Sequence, residues 1–253
     1  MDCTKVTIVT VCYNAVAEIE RTILSVINQT YRNVEYIIID GGSTDGTVEI
    51  IKKYRAQIAY FVSEPDSGVY DAMNKAVKIA TGEWINFMNA GDIFNSTTVL
   101  NDIFDINIPS AVKFLYSDFC VMGKKYNASF EKGYLLHQAV IYRKDSHYSY
   151  GFYDVTERYI ISDYLFFMRF KKSEVMKVDV VIASNGIAGI SGGNWSGYQK
   201  LCCDYIYNRI SLVDMFQTII YISIISSYDR LIKHVQKIKG KVCSFFLHVF
   251  HVK

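Results

Sequence analysis

The sequence lacks the marks of several protein classes. Its formal net charge is only +2 over 253 residues, so no general excess of cations is available to neutralise phosphates, and we expect no nucleic acid partner. The six cysteines include no C-x-x-C pair, and neither they nor the five histidines have the spacing of zinc ligands. We therefore predict reduced, mostly buried thiols and no zinc site.

Three further patterns are missing. The N-terminus has no basic start followed by an apolar run, because the run 6–11 is short and contains Thr7 and Thr10. No G-x-G-x-x-G follows that run, which argues against a dinucleotide oxidoreductase. The apolar stretch 212–227 contains Asp214 and Gln217 and falls short of the roughly 20 residues that span a bilayer. We predict no transmembrane helix.

What is present is a regular alternation of two patterns. Short runs rich in β-branched and aromatic residues predict buried strands, and apolar residues at helical spacing between them predict amphipathic helices. The predicted strands are 5–11, 34–40, 58–62, 84–89, 114–117 and 139–142. This alternation predicts an α/β fold with a Rossmann-like, mostly parallel mixed sheet flanked by helices, and ligands beyond the carboxyl ends of its strands.

Two strand ends carry residues suited to a nucleotide. Thr10, Tyr13 and Asn14 follow or end the first strand, where backbone groups and a small polar side chain can bracket a planar base. The second strand ends in Asp40, whose carboxylate can accept hydrogen bonds from a uracil imide or a ribose hydroxyl, and Gly41 allows close backbone approach. The alternative for Asp40 is a turn aspartate that caps the next helix.

The segment S-E-P-D-S-G-V-Y-D-A-M-N-K opens a helix directly after the third strand. Asp66 and Gly68 lie at the start of that helix, and Asn74 and Lys75 lie farther along it, where a side chain can reach the sugar or the phosphates. The alternative for Lys75 is a solvated surface residue.

After the fourth strand, the turn N-A-G-D places Asp92 beside an amide. Mg²⁺ or Mn²⁺ takes one or two protein carboxylates and completes its shell with water and a substrate diphosphate. Asp92 is therefore the candidate metal ligand, for a cation that offsets charge on a departing nucleoside diphosphate. The alternative is an ordinary β-turn aspartate.

These motifs together resemble family 2 glycosyltransferases of the GT-A fold, which are inverting and metal-dependent. The resemblance covers roughly the first two hundred residues, and E-P-D-S-G-V-Y-D-A-M-N-K-A followed by F-M-N-A-G-D is similar to transferases of bacterial exopolysaccharide, capsule and O-antigen clusters, including the colanic-acid type. It implies that Asp40 contacts the uracil or ribose and that Asp92 is the metal-binding acid. Gly41 and Asn89-Ala90-Gly91 stand where many members carry aspartate, which implies a weaker metal site.

An inverting transfer needs a base that takes the proton of the acceptor hydroxyl. Of Asp154, Glu157 and Asp163, we choose Asp163, because it opens an apolar helix and because Ser162-Asp163-Tyr164 resembles the family's segment with the catalytic base; helix capping is the alternative. The family branch often has a pair such as His137-Gln138 next to the acceptor or the diphosphate. A buried structural histidine is the alternative there.

The C-terminal part differs in character from the rest. We predict a glycosyltransferase domain over residues 1–211 and an amphipathic helical tail over 212–253, in which a Lys/Arg- and Phe-rich segment contacts a membrane or packs on the domain. The expected location is cytoplasmic, peripheral on the inner face of the plasma membrane. The loop 189–193, followed by Asn194, Trp195 and Ser196, is expected to order over a bound donor.

The expected function is transfer of a hexose or N-acetylhexosamine from a UDP-sugar to a growing glycan linked to polyprenyl diphosphate. The expected cofactor is Mn²⁺ or Mg²⁺. The alternative is a glycosyltransferase-like subunit that binds nucleotide-sugars without turnover, since the acid count around the Asp92 turn is low.

Overall fold

A computed structural model describes residues 4–156, 160–185, 194–206 and 210–224. The chain divides into two compact units, Met1–Ser191 and Gly192–Lys253. The predicted boundary between residues 211 and 212 stays a prediction.

The first unit contains a seven-stranded sheet with the order β10-β6-β9-β4-β1-β2-β3. Its strands β1 to β4 are parallel, while β9 runs antiparallel to β4 and β6. The strand bounds are β1 Val6–Cys12, β2 Val34–Asp40, β3 Tyr60–Ser63, β4 Trp84–Phe87, β6 Phe114–Tyr116, β9 Val140–Arg143 and β10 Val175–Lys177.

A second, four-stranded sheet has the order β5-β11-β7-β8. It consists of β5 Asp92–Phe94, β7 Phe119–Val121, β8 Lys124–Tyr126 and β11 Ala183–Asn185. Its strand β5 begins at Asp92, directly after the turn that follows β4. The small sheet therefore lies next to the carboxyl end of β4.

The helices of the first unit are α1 Ile19–Ile27, α2 Thr47–Lys53, α3 Val69–Ile79, α4 Val99–Phe104, α5 Ser146–Tyr150 and α6 Ser162–Phe167. The second unit contains α7 Asn194–Ile206 and a helix α8 over residues 212–224. In the part of the chain that the structure describes, no helix has the length and apolarity that crossing a bilayer requires.

The apolar runs form strands because both faces of the sheet are covered. Every residue of β1 is buried, and so are the last five of β2, as expected for central strands of a parallel sheet. On α1 the buried residues Ile19, Ile23 and Val26 recur at helical spacing and form the face that packs on the core.

The predicted α/β architecture is confirmed, with small differences at strand ends. The third strand runs from Tyr60 to Ser63 rather than over 58–62, because a 3₁₀ turn at Arg55–Gln57 delays its start. The fourth ends at Phe87, two residues earlier than predicted, where the chain turns toward Asp92. Cys12, Cys120, Cys202 and Cys203 are free thiols, as predicted, although only Cys12 among them is buried.

Candidate functional site

Topology gathers the site at one edge of the large sheet. Because β1 to β4 are parallel, the loops that follow them leave from the same edge. Strand β9 is antiparallel, so its first residue lies at this edge as well, and His137 and Gln138 immediately precede it. The predicted residues that follow β1 to β4, and those that precede β9, therefore lie at this one edge of the sheet.

Asp40 organises the loop that follows β2. Its side chain is fully buried, and its two oxygens accept hydrogen bonds from the Gly42 and Ser43 amides at 3.2 and 2.9 Å and from the Ser63 hydroxyl at 2.6 Å. The Ser43 hydroxyl and the Cys12 thiol donate to it as well. Five donors use the acceptor capacity of one carboxylate, so its direct effect is to hold the loop.

The charge state of Asp40 follows from these donors. Burial by itself would raise the pKa of the carboxyl, but the hydrogen bonds from Ser43 and Ser63 outweigh burial and lower the pKa below its usual value. Asp40 is therefore a carboxylate at neutral pH. A contact of this carboxylate with a base or ribose stays a prediction.

Asn14 joins the loops after β1 and β2. It has a left-handed φ of 47°, which asparagine tolerates better than most residues. Its amide donates to the Ser43 hydroxyl at 2.7 Å, and its side-chain oxygen accepts from the Thr44 amide at 3.0 Å. These two hydrogen bonds hold the loops after β1 and β2 together.

Gly41 lies between Tyr13 and Asp66. A Cβ atom at Gly41 would lie 2.7 Å from Oδ2 of Asp66 and 3.3 Å from the Tyr13 ring, both too close for an undisturbed fit. Tyr13 is largely exposed, and the second Asp66 oxygen accepts from the Gly68 amide at 2.8 Å. Asp66 and Tyr13 therefore pack directly against the backbone of Gly41, and a side chain at this position would displace them.

The turn before β5 holds Asp92 in a buried position. The Asp92 amide donates to the Asn89 carbonyl at 2.9 Å, and Gly91 between them has a φ of 100°. From α1, the Thr22 hydroxyl donates to the Asp92 carbonyl at 2.8 Å, and Arg21 donates to the Gly91 carbonyl at 2.6 Å. Helix α1 therefore fixes this turn.

The carboxyl of Asp92 has a raised pKa and holds its proton close to neutral pH. Burial raises the pKa of its carboxyl to about 7, against the opposing effects of a hydrogen bond from Gln138 and the charge of Arg21. The proton is thus held near neutral pH in the protein alone.

The donor set around Asp92 fits a hard divalent cation. The side-chain oxygens of Asn89 and Gln138 are buried and have no hydrogen-bond partner among the residues that the structure describes. Such unpaired oxygens beside a carboxylate suit Mg²⁺ or Mn²⁺. Within the described ranges no group of three or more His, Cys, Asp or Glu residues surrounds a common point, so a cation here would depend on substrate oxygens to complete its shell.

Asp163 opens α6 and is held by two partners. The Tyr70 hydroxyl donates to Oδ1 at 2.8 Å, and Nδ1 of His137 lies 3.2 Å from Oδ2. Burial would raise the pKa of this carboxyl, but the hydrogen bonds from His137 and Tyr70 and from the Tyr164 amide lower it. Asp163 is therefore ionised at neutral pH and partly accessible, as a general base must be.

His137 is surrounded by aromatic rings on its other side. Phe87 and Phe167 each lie 5.3 Å from its ring, and Tyr153 lies at 6.1 Å, measured between ring centroids. Its Nε2 is buried without a partner in the described part of the chain. The structure thus directs His137 to Asp163 and its neighbour Gln138 to Asp92.

Thr10 points away from the edge. Its side chain is fully buried, and its hydroxyl donates to the Met88 carbonyl at 2.7 Å and pairs with the Tyr36 hydroxyl at 2.9 Å. These contacts tie β1 to the end of β4 and to β2. A contact of Thr10 with a nucleotide-sugar stays a prediction. The Thr10 hydroxyl is already engaged within the fold, whereas these hydrogen bonds do not involve its backbone groups.

Asn74 and Lys75 are also engaged within the fold. Asn74 is buried, and its amide group donates to the Tyr153 carbonyl at 2.9 Å and accepts from the Tyr153 amide at 3.0 Å. Lys75 pairs with Glu64 at 2.8 Å and with Asp71 at 3.6 Å. Contacts of either side chain with a donor stay predictions.

The other candidates for the base differ in their positions. Asp154 is mostly exposed and lies 3.8 Å from Arg169. Glu157 and the predicted loop 189–193 lie outside the described residues. Asp163 thus keeps its place as the candidate that faces the other site residues.

Sequence reasoning did not single out Tyr70 or Arg21. Tyr70 lies within the quoted S-E-P-D-S-G-V-Y motif, one turn before Asn74, and its spacing marks the same helix face. Arg21 gave no signal, because its role depends on the approach of α1 to the Asp92 turn.

The N-terminal part of the chain is similar in sequence to known glycosyltransferases. A model described as "Glycosyl transferase family 2" matches residues 7–105. An uncharacterised glycosyltransferase of Mycobacterium tuberculosis is 38% identical over 96 residues, which are 38% of this chain and 37% of that protein. The UDP-Glc:alpha-D-GlcNAc-diphosphoundecaprenol beta-1,3-glucosyltransferase WfaP of Escherichia coli is 35% identical over 117 residues, 46% of either protein. The chain thus matches less than half the length of these two relatives.

Two solved structures share the fold. TarS of S. aureus in complex with UDP-GlcNAc has a TM-score of 0.66 at 19% identity, over 81% of this chain and 66% of that one. The mannosyltransferase PcManGT of Pyrobaculum calidifontis, in complex with GDP-Man and Mn²⁺, has a TM-score of 0.59 at 17% identity, over 78% and 61%. Residues 7–105 thus match glycosyl transferase family 2, and the solved structures show that the chain shares their fold.

Proposed function

We propose that the protein transfers a hexose or N-acetylhexosamine from a UDP-sugar to a growing glycan on a polyprenyl diphosphate, with inversion at the anomeric carbon. The observation that carries the proposal is the pairing at one sheet edge of an ionised Asp163, held by Tyr70 and His137, with the Asp92 turn. Asp163 supplies a base, and the Asp92 turn supplies a place for the diphosphate.

In this proposal the acceptor hydroxyl attacks the anomeric carbon as its bond to the nucleoside diphosphate breaks. Asp163 accepts the proton of that hydroxyl, while Tyr70 and His137 keep its carboxylate in place. A cation held by Asp92, with the oxygens of Asn89 and Gln138, would supply charge compensation for the leaving diphosphate.

The donor end of the proposal rests on Tyr13 and Asp66, which pack against Gly41. The Tyr13 ring offers a stacking surface and Asp66 an acceptor for a ribose hydroxyl or a uracil imide. The UDP-GlcNAc bound in TarS and the UDP-Glc in the name of WfaP support a uridine donor. The diphosphoundecaprenol in the WfaP name supports a lipid-linked acceptor, and the Mn²⁺ in PcManGT supports the cation.

A binding experiment tests the donor end. Calorimetry with Mn²⁺ and a panel of UDP-glucose, UDP-N-acetylglucosamine and UDP-galactose should show binding of at least one, with GDP-mannose as the control for the base. Replacing Gly41 by Ala should weaken that binding about tenfold or more, because the added methyl group meets Asp66 and Tyr13.

The matched control is Gly197→Ala, where a Cβ would make only an ordinary contact with Ile222 at 3.9 Å. This variant should bind the donor as the wild type does. Absence of binding by every UDP-sugar would overturn the proposal, and unchanged binding by Gly41→Ala would remove Tyr13 and Asp66 from it.

The second candidate is a subunit that binds nucleotide-sugars without turnover. It is favoured by the single carboxylate in the N-A-G-D turn, which makes for a weak cation site. Donor binding without any transfer to a panel of polyprenyl-diphosphate-linked sugars would favour this candidate.

A further inference from the structure

Helix α8, over residues 212–224, has apolar side chains on two faces. One face packs on α7 within the second unit, since a Cβ at Gly197 would lie 3.9 Å from Ile222, and the Tyr198 and Ser223 hydroxyls lie 3.0 Å apart. A helix of a small unit normally needs only one such face.

The other face of α8 is exposed. Its apolar side chains are between 46% and 64% exposed and recur three to four residues apart, so they form one stripe. The stripe consists of Leu212, Val213, Phe216, Ile220 and Ile224. An exposed apolar stripe that runs the full length of a helix marks an interaction surface.

Charge indicates what covers this stripe. Residues 192–253 contain eight Lys and Arg against three Asp and Glu, whereas the whole chain has a net charge of only +2. The second unit is therefore cationic and the first is slightly acidic. The cations follow α8 in the sequence, since residues 225–253 contain six Lys and Arg against one Asp, and a cationic segment next in sequence to an apolar stripe favours an anionic lipid surface as the partner.

We propose that the stripe on α8 inserts into the headgroup region of an anionic bilayer, with the helix lying along the surface. Within the described residues no helix is long and apolar enough to cross a bilayer, and α8 carries Asp214 and Gln217 among its apolar residues, so we place it along the membrane surface. A second copy of the chain is a poorer occupant, because it carries the same excess of Lys and Arg over Asp and Glu in residues 192–253 and would repel the first copy.

Vesicle flotation with the full chain tests this surface. The wild type should float with vesicles of 70% phosphatidylcholine and 30% phosphatidylglycerol, and much less with phosphatidylcholine alone. Replacing both Phe216 and Ile220 by Gln leaves the charge unchanged and should lower the partition coefficient at least about tenfold, because apolar burial is lost.

The matched control is Met122→Gln, which removes an apolar side chain of 79% exposure from the first unit and should leave flotation unchanged. Circular dichroism of all variants shows whether each one is folded. In a Phe216→Trp variant, the indole fluorescence gained over the wild type should shift to the blue with anionic vesicles and be quenched by brominated lipids.

Equal flotation of the double variant and the wild type would overturn the proposal, as would a gained indole spectrum in Phe216→Trp that vesicles leave unchanged. A wild-type dimer in sedimentation velocity that becomes a monomer in the double variant, without vesicle binding, would assign the stripe to self-association and overturn it too. None of these readouts needs donor binding or transfer, so their failure is distinct from failure of the proposed function.

Discussion

Asp92 and Asp163 lie at the same edge of the sheet, yet their surroundings move their pKa values in opposite directions. Asp92 is buried with little to stabilise its charge, and its pKa rises to about 7. Asp163 has two side-chain donors that outweigh burial and lower its pKa. Carboxyls separated in this way take different roles. In the proposed reaction Asp163 accepts a proton, and Asp92 would become charged if a cation replaced its proton.

At the residue scale, replacing Asp92 by Asn should stabilise the protein in the absence of metal above pH 7. An acid whose folded pKa is raised binds more protons in the folded than in the unfolded state, so its contribution to stability falls as pH rises from about 4 to about 7. The melting temperature Tm at pH 8 in a chelator should rise by a few degrees, and the rise should vanish near pH 4.

The same variant should lose any increase in Tm that Mn²⁺ gives the wild type, because the only carboxylate of the turn is gone. The control is the exposed Asp105→Asn, which should behave as the wild type in both conditions. A Mn²⁺-dependent rise in Tm of the same size in Asp92→Asn would show that the cation binds elsewhere.

A second prediction at this scale concerns Tyr70. Its hydroxyl donates to Asp163 and lowers the pKa of that carboxyl, so Tyr70→Phe should raise the pKa of Asp163. In a profile of kcat against pH, the acidic limb should move to higher pH. Tyr54→Phe removes a similar hydrogen bond to Glu20 and should leave the profile in place. A profile that is identical in wild type and Tyr70→Phe would separate Tyr70 from the base.

At the element scale, the strand-and-helix alternation was predictable because each apolar run is long enough to show its period. The strand ends followed from it, and with them Asp40, Asp66 and Asp92 at one edge. The partners of Asp163 were not predictable, because Tyr70 is 93 residues away in sequence and meets it only through packing of α3 against α6. The partners of the Thr10 hydroxyl were not predictable either, because Tyr36 and Met88 are distant in sequence.

A prediction at the element scale concerns the hydrogen bonds that join α3 to the segment before α6. Asn74 satisfies both backbone groups of the buried Tyr153, so Asn74→Ala leaves a donor and an acceptor unpaired in the core. We expect the free energy of unfolding to fall by about 2 kcal/mol, measured by urea denaturation. The exposed Asn107→Ala should change it by less than about 0.5 kcal/mol. Equal stability of Asn74→Ala and the wild type would show that this connection contributes little.

At the scale of the whole molecule, the two units differ in what sequence can predict. In the first unit, the alternation of apolar strands and amphipathic helices predicts both the fold and the positions of the strand ends. In the second, pattern shows that helix α8 is apolar but not which face packs on α7, because both faces carry large side chains. That distinction needed the structure. The packing on α7 leaves an exposed apolar stripe on the other face of α8.

The central claim is that Asp163 removes a proton from an acceptor bound at an edge that also binds a nucleotide-sugar. Its most direct test measures donor affinity and transfer rate together in Asp163→Asn, with the exposed Asp154→Asn as control. Asp163→Asn should lower kcat by about 10² to 10⁴ while the Kd for the donor stays within about threefold, and Asp154→Asn should change neither. Transfer by Asp163→Asn within about tenfold of the wild-type rate would contradict the account.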